Sequence, residues 1–138
     1  MSSGYSGTPL VRKLGYKPGF KVYVTGEPES YWAELGSLPD GVTCLKRLAS
    51  DLDLVHFFSP DRSELEKALP KFYEKLAAAG MVWVSWPKKA SKVPTTITED
   101  VVREVALPLG FVDVKVCAVD EVWSGLKLVI RKELRGNR

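Results

Sequence analysis

Histidine and cysteine are nearly missing from this sequence: one histidine, His56, and two cysteines, Cys44 and Cys117. There is no CxxC and no Cys/His cluster, which excludes the usual zinc sites and any disulfide framework. Both cysteines lie in apolar, strand-like runs and are expected to be buried thiols in a reducing compartment. The one histidine sits inside Leu54-Val55-His56-Phe57-Phe58, where it reads as a satisfied core side chain rather than a base. Ser85 and Ser124 have no evident histidine partner, so a catalytic triad is set aside. No pair of carboxylates has a spacing that argues for acid–base work.

Other absences narrow the function further. No run approaches the ~20 apolar residues of a membrane helix. Residues 1–7, Met-Ser-Ser-Gly-Tyr-Ser-Gly, lack the apolar segment of a signal peptide, and the expected placement is cytoplasmic. The net charge is +3, from 20 basic and 17 acidic residues, too mild to imply nucleic acid. Arg12, Lys13, Lys17 and Lys21 near one end, and Arg131, Lys132, Arg135 and Arg138 at the other, read as solvated termini. Cofactor signatures are missing too. Val24-Thr25-Gly26-Glu27-Pro28 has one glycine where a dinucleotide fingerprint has three. Glu27 and Glu29 put negative charge at a helix start, where a phosphate would be repelled. The second strand leads into Lys46-Arg47 rather than the acid that would hold a ribose. S-adenosylmethionine in its usual pose therefore lacks both its glycine-rich motif and its ribose-binding acid. Nothing resembles a Walker A loop.

What is present is an alternation of strand and helix patterns. A short helix opens at Thr8-Pro9, with Leu10, Val11 and Leu14 on one face and Gly15 as its stop. Residues 20–24 form a first strand, 29–35 a helix closed by Gly36, and 42–45 a short strand. Residues 46–52 connect to a buried strand, 52–58. The longest helix is expected from about Asp61 to Ala79, with Leu65, Leu69, Phe72 and Leu76 on one face. Asp61 and Glu64 have capping-box spacing, Pro70 is expected to kink the helix, and Gly80 reads as its stop. A central strand, 81–86, a loop, 87–97, and a helix, 98–107, follow. Phe111–Val119 and Trp123–Arg131, joined by Asp120-Glu121, form an antiparallel hairpin, because so short a turn excludes a parallel crossover.

Such alternation implies one α/β domain over residues 1–138, with residues 1–7 and 134–138 as flexible ends. The expected fold is a three-layer, Rossmann-like, mostly parallel six-stranded sheet with a C-terminal antiparallel β-hairpin, in spatial order 2-1-3-4-6-5. This arrangement resembles that of Rossmann-like methyltransferases shortened by about one βα unit.

In that topology the strand ends gather at one edge, where such sheets bind ligands. Lys88 and Lys89, behind Pro87, are candidates to hold a phosphate or carboxylate as point charges, with Ser91 in the same loop. Trp86 and Trp123 are candidates for an aromatic wall. Asp120, Glu121 and Ser124 come from the hairpin tip, Gly26 from the end of strand one, and Tyr5 and Ser6 from the start of the first helix.

The strings Gly4-Tyr5-Ser6-Gly7-Thr8-Pro9-Leu10, Trp86-Pro87-Lys88-Lys89, Thr98-Glu99-Asp100-Val101-Val102-Arg103 and Cys117-Ala118-Val119-Asp120-Glu121-Val122-Trp123-Ser124-Gly125-Leu126 resemble those of a small bacterial family known only as a domain of unknown function. That resemblance implies a cytoplasmic stand-alone domain and brings no activity, cofactor or catalytic residue. Strand one and the long helix contribute no such string and read as scaffold. The sequence thus points to a small-molecule binding domain for an anionic or nucleotide-like ligand. The alternatives are a minimal S-adenosylmethionine-dependent methyltransferase and a protein- or nucleic-acid-interaction module. Nucleic acid and membrane are not indicated, and exposed edge strands leave room for a homodimer.

Overall fold

A computed structural model describes residues 8–137. Among these described residues four α-helices, α1 (Leu10–Leu14), α2 (Tyr31–Leu35), α3 (Arg62–Lys75) and α4 (Glu99–Ala106), flank six strands. The strands are β1 (Lys21–Thr25), β2 (Thr43–Leu45), β3 (Leu52–Phe58), β4 (Leu76–Pro87), β5 (Phe111–Ala118) and β6 (Trp123–Ile130). They form one sheet in the order β2-β1-β3-β4-β6-β5, as the alternation of elements requires. The first four strands run parallel, and β6 pairs antiparallel with both β4 and β5.

Strand periodicity sorts the apolar residues into two cores. On one face Val55, Phe57, Val82, Val84, Trp86, Leu126 and Leu128 pack under Leu65, Leu69 and Phe72 of α3 and Val102 of α4. On the other, Val22, Leu54, Phe58 and Trp83 pack under Leu10 and Leu14 of α1 and Tyr31 and Leu35 of α2. Chain direction explains the division. The step from β1 out to β2 crosses the α2 face, while the steps back to β3 and on to β4 cross the other, as crossovers of a single hand demand. The β2-to-β3 step is made by residues 46–51 with no helix. Only Leu48 of that connector packs against the core beside Tyr23 and Leu45.

Four local features differ from expectation. Helix α3 stops at Lys75, and β4 begins at Leu76, which pairs with Leu52. The next pair is Leu54 with Met81, so residues 77–80 bulge out of the ladder opposite Asp53 alone. Burial of Leu76 and its pairing with Leu52 outweigh the helix preference of three alanines. Gly80 is thus no helix stop. A Cβ there would stand 2.6 Å from the Leu52 carbonyl oxygen, so the close passage of β3 and β4 requires glycine. Second, the capping box is half formed: Asp61 accepts from Ser63 N at 3.0 Å, while Glu64 accepts instead from the Ser59 hydroxyl. Third, Cys44 is exposed on the edge strand β2, and only Cys117 is buried. Fourth, residues 132–137 are not a free tail. They form 3-10 turns, Leu134 packs on the core, and Arg135 Nε donates to the Ile130 carbonyl at 2.8 Å.

The Thr98–Arg103 string has a structural task. Thr98 caps α4 by accepting from Val101 N at 3.2 Å. Arg103 then bridges Glu99, Asp100 and, at 3.0 Å, Asp113 of β5, tying helix to hairpin. Among the described residues no helix is long and apolar enough to cross a membrane.

Candidate functional site

The carboxyl edge gathers the strand ends as expected. Ser59 N donates to the Ser85 carbonyl at 3.1 Å, and Lys88 N donates to the Val122 carbonyl at 2.8 Å, so the ends of β3, β4 and the hairpin are stitched together. Two of the polar side chains expected to face a ligand there are engaged in local turns instead. Asp120 Oδ1 accepts from Val122 N at 2.8 Å and Trp123 N at 2.7 Å, closing the hairpin turn. Ser91 donates to the Lys88 carbonyl at 2.7 Å, holding the 3-10 turn Lys89–Ser91. Lys89 and Glu121 are exposed, and Lys88 and Ser124 are partly exposed.

The aromatic wall is divided by the sheet. Trp86 is buried in the α3/α4 core opposite Ser124, whereas Trp123 pairs with Pro87 and packs on the α1/α2 core. The Trp123 ring meets Phe58 edge-on, with centroids 5.2 Å apart. Side chains on successive strand residues point to opposite faces, so these two tryptophans cannot line one pocket side. Tyr5 and Ser6 lie outside the described residues.

The hollow at this edge lies elsewhere. A cavity of about 550 Å³ opens on the α3 face over the ends of β1 and β3. Its floor is Tyr23, Phe57, Phe72 and Ala68, its far wall is Leu48, and its mouth carries Thr25, Gly26, Glu64, Lys67 and Lys71. Tyr23 and Phe72 meet edge-on at 6.3 Å, and Phe57 and Phe72 at 5.7 Å. The cavity exists because the β2-to-β3 connector has no helix to cover β1. Of the residues singled out from sequence, Gly26 alone lines it. Lys67 and Lys71 stand one helical turn apart on α3, and neither has an ion-pair partner among the described residues. A larger hollow of about 650 Å³ lies at the opposite edge, formed where residues 77–78 bulge away beside Ser50, Asp51 and the end of α3. Ligands of parallel sheets sit outside the strands' carboxyl ends, and the smaller cavity is the one placed there.

Beneath the edge, on the α2 face, runs a buried chain of hydrogen bonds. Tyr16 Oη lies 2.7 Å from Tyr31 Oη, Tyr31 Oη 2.9 Å from His56 Nδ1, and His56 Nε2 2.8 Å from Ser85 Oγ. Ser85 therefore does have a histidine partner, contrary to the sequence reading. Both are fully buried, and burial pulls the His56 pKa down to about 3 and pushes both tyrosines well above their ordinary value. A neutral imidazole donates through one nitrogen and accepts through the other, so the chain is satisfied with a single direction of donation. Its sealed position gives it a structural rather than a catalytic character.

No family model matches the chain, and a search of the curated proteins finds no match. The similarity is to solved structures. A SAM-dependent methyltransferase from Aquifex aeolicus has a TM-score of 0.65 at 16% identity, over 88% of this chain and 87% of that one. A precorrin-6y C5,15-methyltransferase from Geobacter metallireducens has a TM-score of 0.59 at 11% identity, covering 86% and 84%. A possible exported protein from Bordetella parapertussis scores 0.58 at 14% identity, and this chain spans 65% of its length. At such identities the likeness establishes the fold alone.

S-adenosylmethionine is the cofactor this likeness implies, and the residues present do not fit it. Gly26, at φ 76°, is packed against its own chain: a Cβ there would stand 2.2 Å from the Phe58 carbonyl oxygen. The turn that follows carries Glu27, fixed by Trp32 Nε1 at 3.0 Å. Tyr31, His56 and Phe58 fill the α2 side of the crevice, the last two stacked at 4.1 Å. After β2 come Lys46 and Arg47, with no carboxylate to receive a ribose. The chain shares the α/β fold of these methyltransferases.

Proposed function

We propose that this chain is a small-ligand binding domain on a methyltransferase-like fold, taking an aromatic anion of the nucleotide kind. The observation that carries this reading is the cavity over β1 and β3, with an aromatic floor and, at its mouth, two lysines without an ion-pair partner among the described residues. The flat part of the ligand lies against Tyr23 and Phe72, and its phosphate or carboxylate is held by Lys67 and Lys71 as point charges. Two like charges one turn apart on a helix repel by about 0.2–0.5 kcal/mol, so an anion between them is favoured on both counts. The rim lysines Lys88 and Lys89, on the loop after β4 at the same carboxyl edge, define a second place to hold the anion. In this reading the domain belongs to the small bacterial family its strings resemble and works in the cytoplasm.

The test is an amide NMR titration with ATP, NADH, S-adenosylmethionine and S-adenosylhomocysteine in turn. ATP is expected to shift Thr25, Gly26, Lys67 and Lys71, with affinity that falls as salt rises. Lys67→Ala with Lys71→Ala is expected to keep the fold and weaken ATP binding about tenfold or more, equivalent to about 1.4 kcal/mol. Loss of ATP binding only in Lys88→Ala with Lys89→Ala would move the ligand to the hairpin rim. Saturable binding of both adenosyl compounds, with methyl transfer to an acceptor, would replace this reading by the methyltransferase one. No shifts with any of the four would remove the cavity as a nucleotide site.

A further inference from the structure

The α1-side face of the β5–β6 hairpin carries an arrangement that the cavity does not use. Lys115 and Lys127 are direct register partners across the two strands. Directly opposed residues share a face, with Cβ atoms ~4.5–5.5 Å apart. On its other side Lys127 is the register partner of Trp83 in β4. Trp83 is itself fully buried beneath α1, its Nε1 donating to the Leu14 carbonyl at 2.8 Å. Lys17, just beyond α1, is close enough to act electrostatically on Lys127 together with Lys115. Lys17 and Lys115 are exposed, whereas Lys127 is half-buried. None of the three has an ion-pair partner among the described residues.

A like-charged pair directly across two strands is destabilising, so this placement has a cost that an anion or loss of one charge would relieve. Burial and two cationic neighbours both favour the neutral amine of Lys127, and its pKa is lowered, by burial first and then by Lys115 and Lys17. A partly desolvated lysine beside other cations is made more nucleophilic.

We propose that Lys127 is an acylation site for a small anionic acyl donor of the acyl-phosphate class, whose phosphate Lys115 and Lys17 hold. The neutral Nζ attacks the carbonyl carbon, forming the C–N bond of an amide. The C–O bond to phosphate breaks, phosphate leaves with that electron pair, and the proton on the attacking nitrogen passes to water. The product amide carries no charge, so the repulsion with Lys115 disappears and the modified hairpin is the more stable one. This site is independent of the nucleotide cavity.

The experiment is acetylation of the full chain by acetyl phosphate, with occupancy at each lysine followed by mass spectrometry at early times. Lys127 is expected to be acetylated several-fold faster than the exposed Lys89 and Lys92. In Lys17→Gln with Lys115→Gln, folded by circular dichroism, that excess is expected to vanish. With an uncharged donor, p-nitrophenyl acetate, the excess in the unsubstituted chain is expected to shrink, because no phosphate is held. A Lys127 rate no greater than that of Lys89 overturns the proposal. So does an excess that survives loss of both neighbouring lysines.

Discussion

At the scale of single residues, the buried chain Tyr16–Tyr31–His56–Ser85 sets a pH dependence whose sign is fixed. In the unfolded chain His56 takes a proton near its ordinary pKa of 6.5, while in the fold it stays neutral down to about 3. Its contribution is complete above about pH 6.5 and is lost as pH falls from there towards 3, with a limiting slope of about 1.4 kcal/mol per pH unit. Urea unfolding at pH 7 and pH 4.5 should show the loss, and His56→Gln should flatten it. Ser85→Ala leaves His56 Nε2 buried without a partner and is expected to cost about 1–3 kcal/mol at pH 7. An unchanged urea midpoint in Ser85→Ala would mean that water reaches the imidazole. The core position of His56 was legible from its apolar neighbours. Its bond to Ser85 was not, because these residues are 29 apart in sequence and meet only through strand register.

At the scale of elements, the hairpin was readable from turn length and apolar pattern, but the strand opposition Lys115–Lys127 depends on an irregularity. The β5–β6 register shifts between Asp113 and Lys115, and no local residue pattern announces it. Lys115→Gln is expected to stabilise the fold by about 0.2–1 kcal/mol by relieving that opposition, while Lys89→Gln on the exposed loop leaves the denaturation midpoint unchanged. A destabilised Lys115→Gln would show that the lysine's alkyl stem, rather than its charge, matters to the edge strand. The end of α3 was misread for a related reason. Ala77-Ala78-Ala79-Gly80 has a good local helix ending, and only the pairing of Leu76 with the distant Leu52 stops the helix before it. The cavity was hidden in the same way. It follows from a missing helix between β2 and β3, a gap that no residue type marks, so its walls of β1 and α3 read as scaffold.

At the scale of the whole molecule, strand order and handedness came directly from the alternation of elements, since parallel crossovers leave few topologies open. What could not be read was how tightly the edge closes on itself: Gly26 against Phe58, and Asp120 on its own turn. The same architecture ranks the strands by how they open. Every residue from Met81 to Pro87 is buried, and this part of β4 is paired on both sides, to β3 and β6. Strand β2 spans only Thr43–Leu45 and pairs on one side, with β1. In hydrogen-exchange terms, amides of Val82–Trp86 should exchange only when the entire chain unfolds, while those of Thr43–Leu45 exchange by local fraying. Low denaturant should therefore accelerate the first group with the slope of global unfolding and barely touch the second. Equal slopes would mean that the sheet opens as a unit. Because a ligand stabilises the native state by RT ln(1 + [L]/Kd), ATP held over β1 should slow exchange at β4 and leave β2 to open as before.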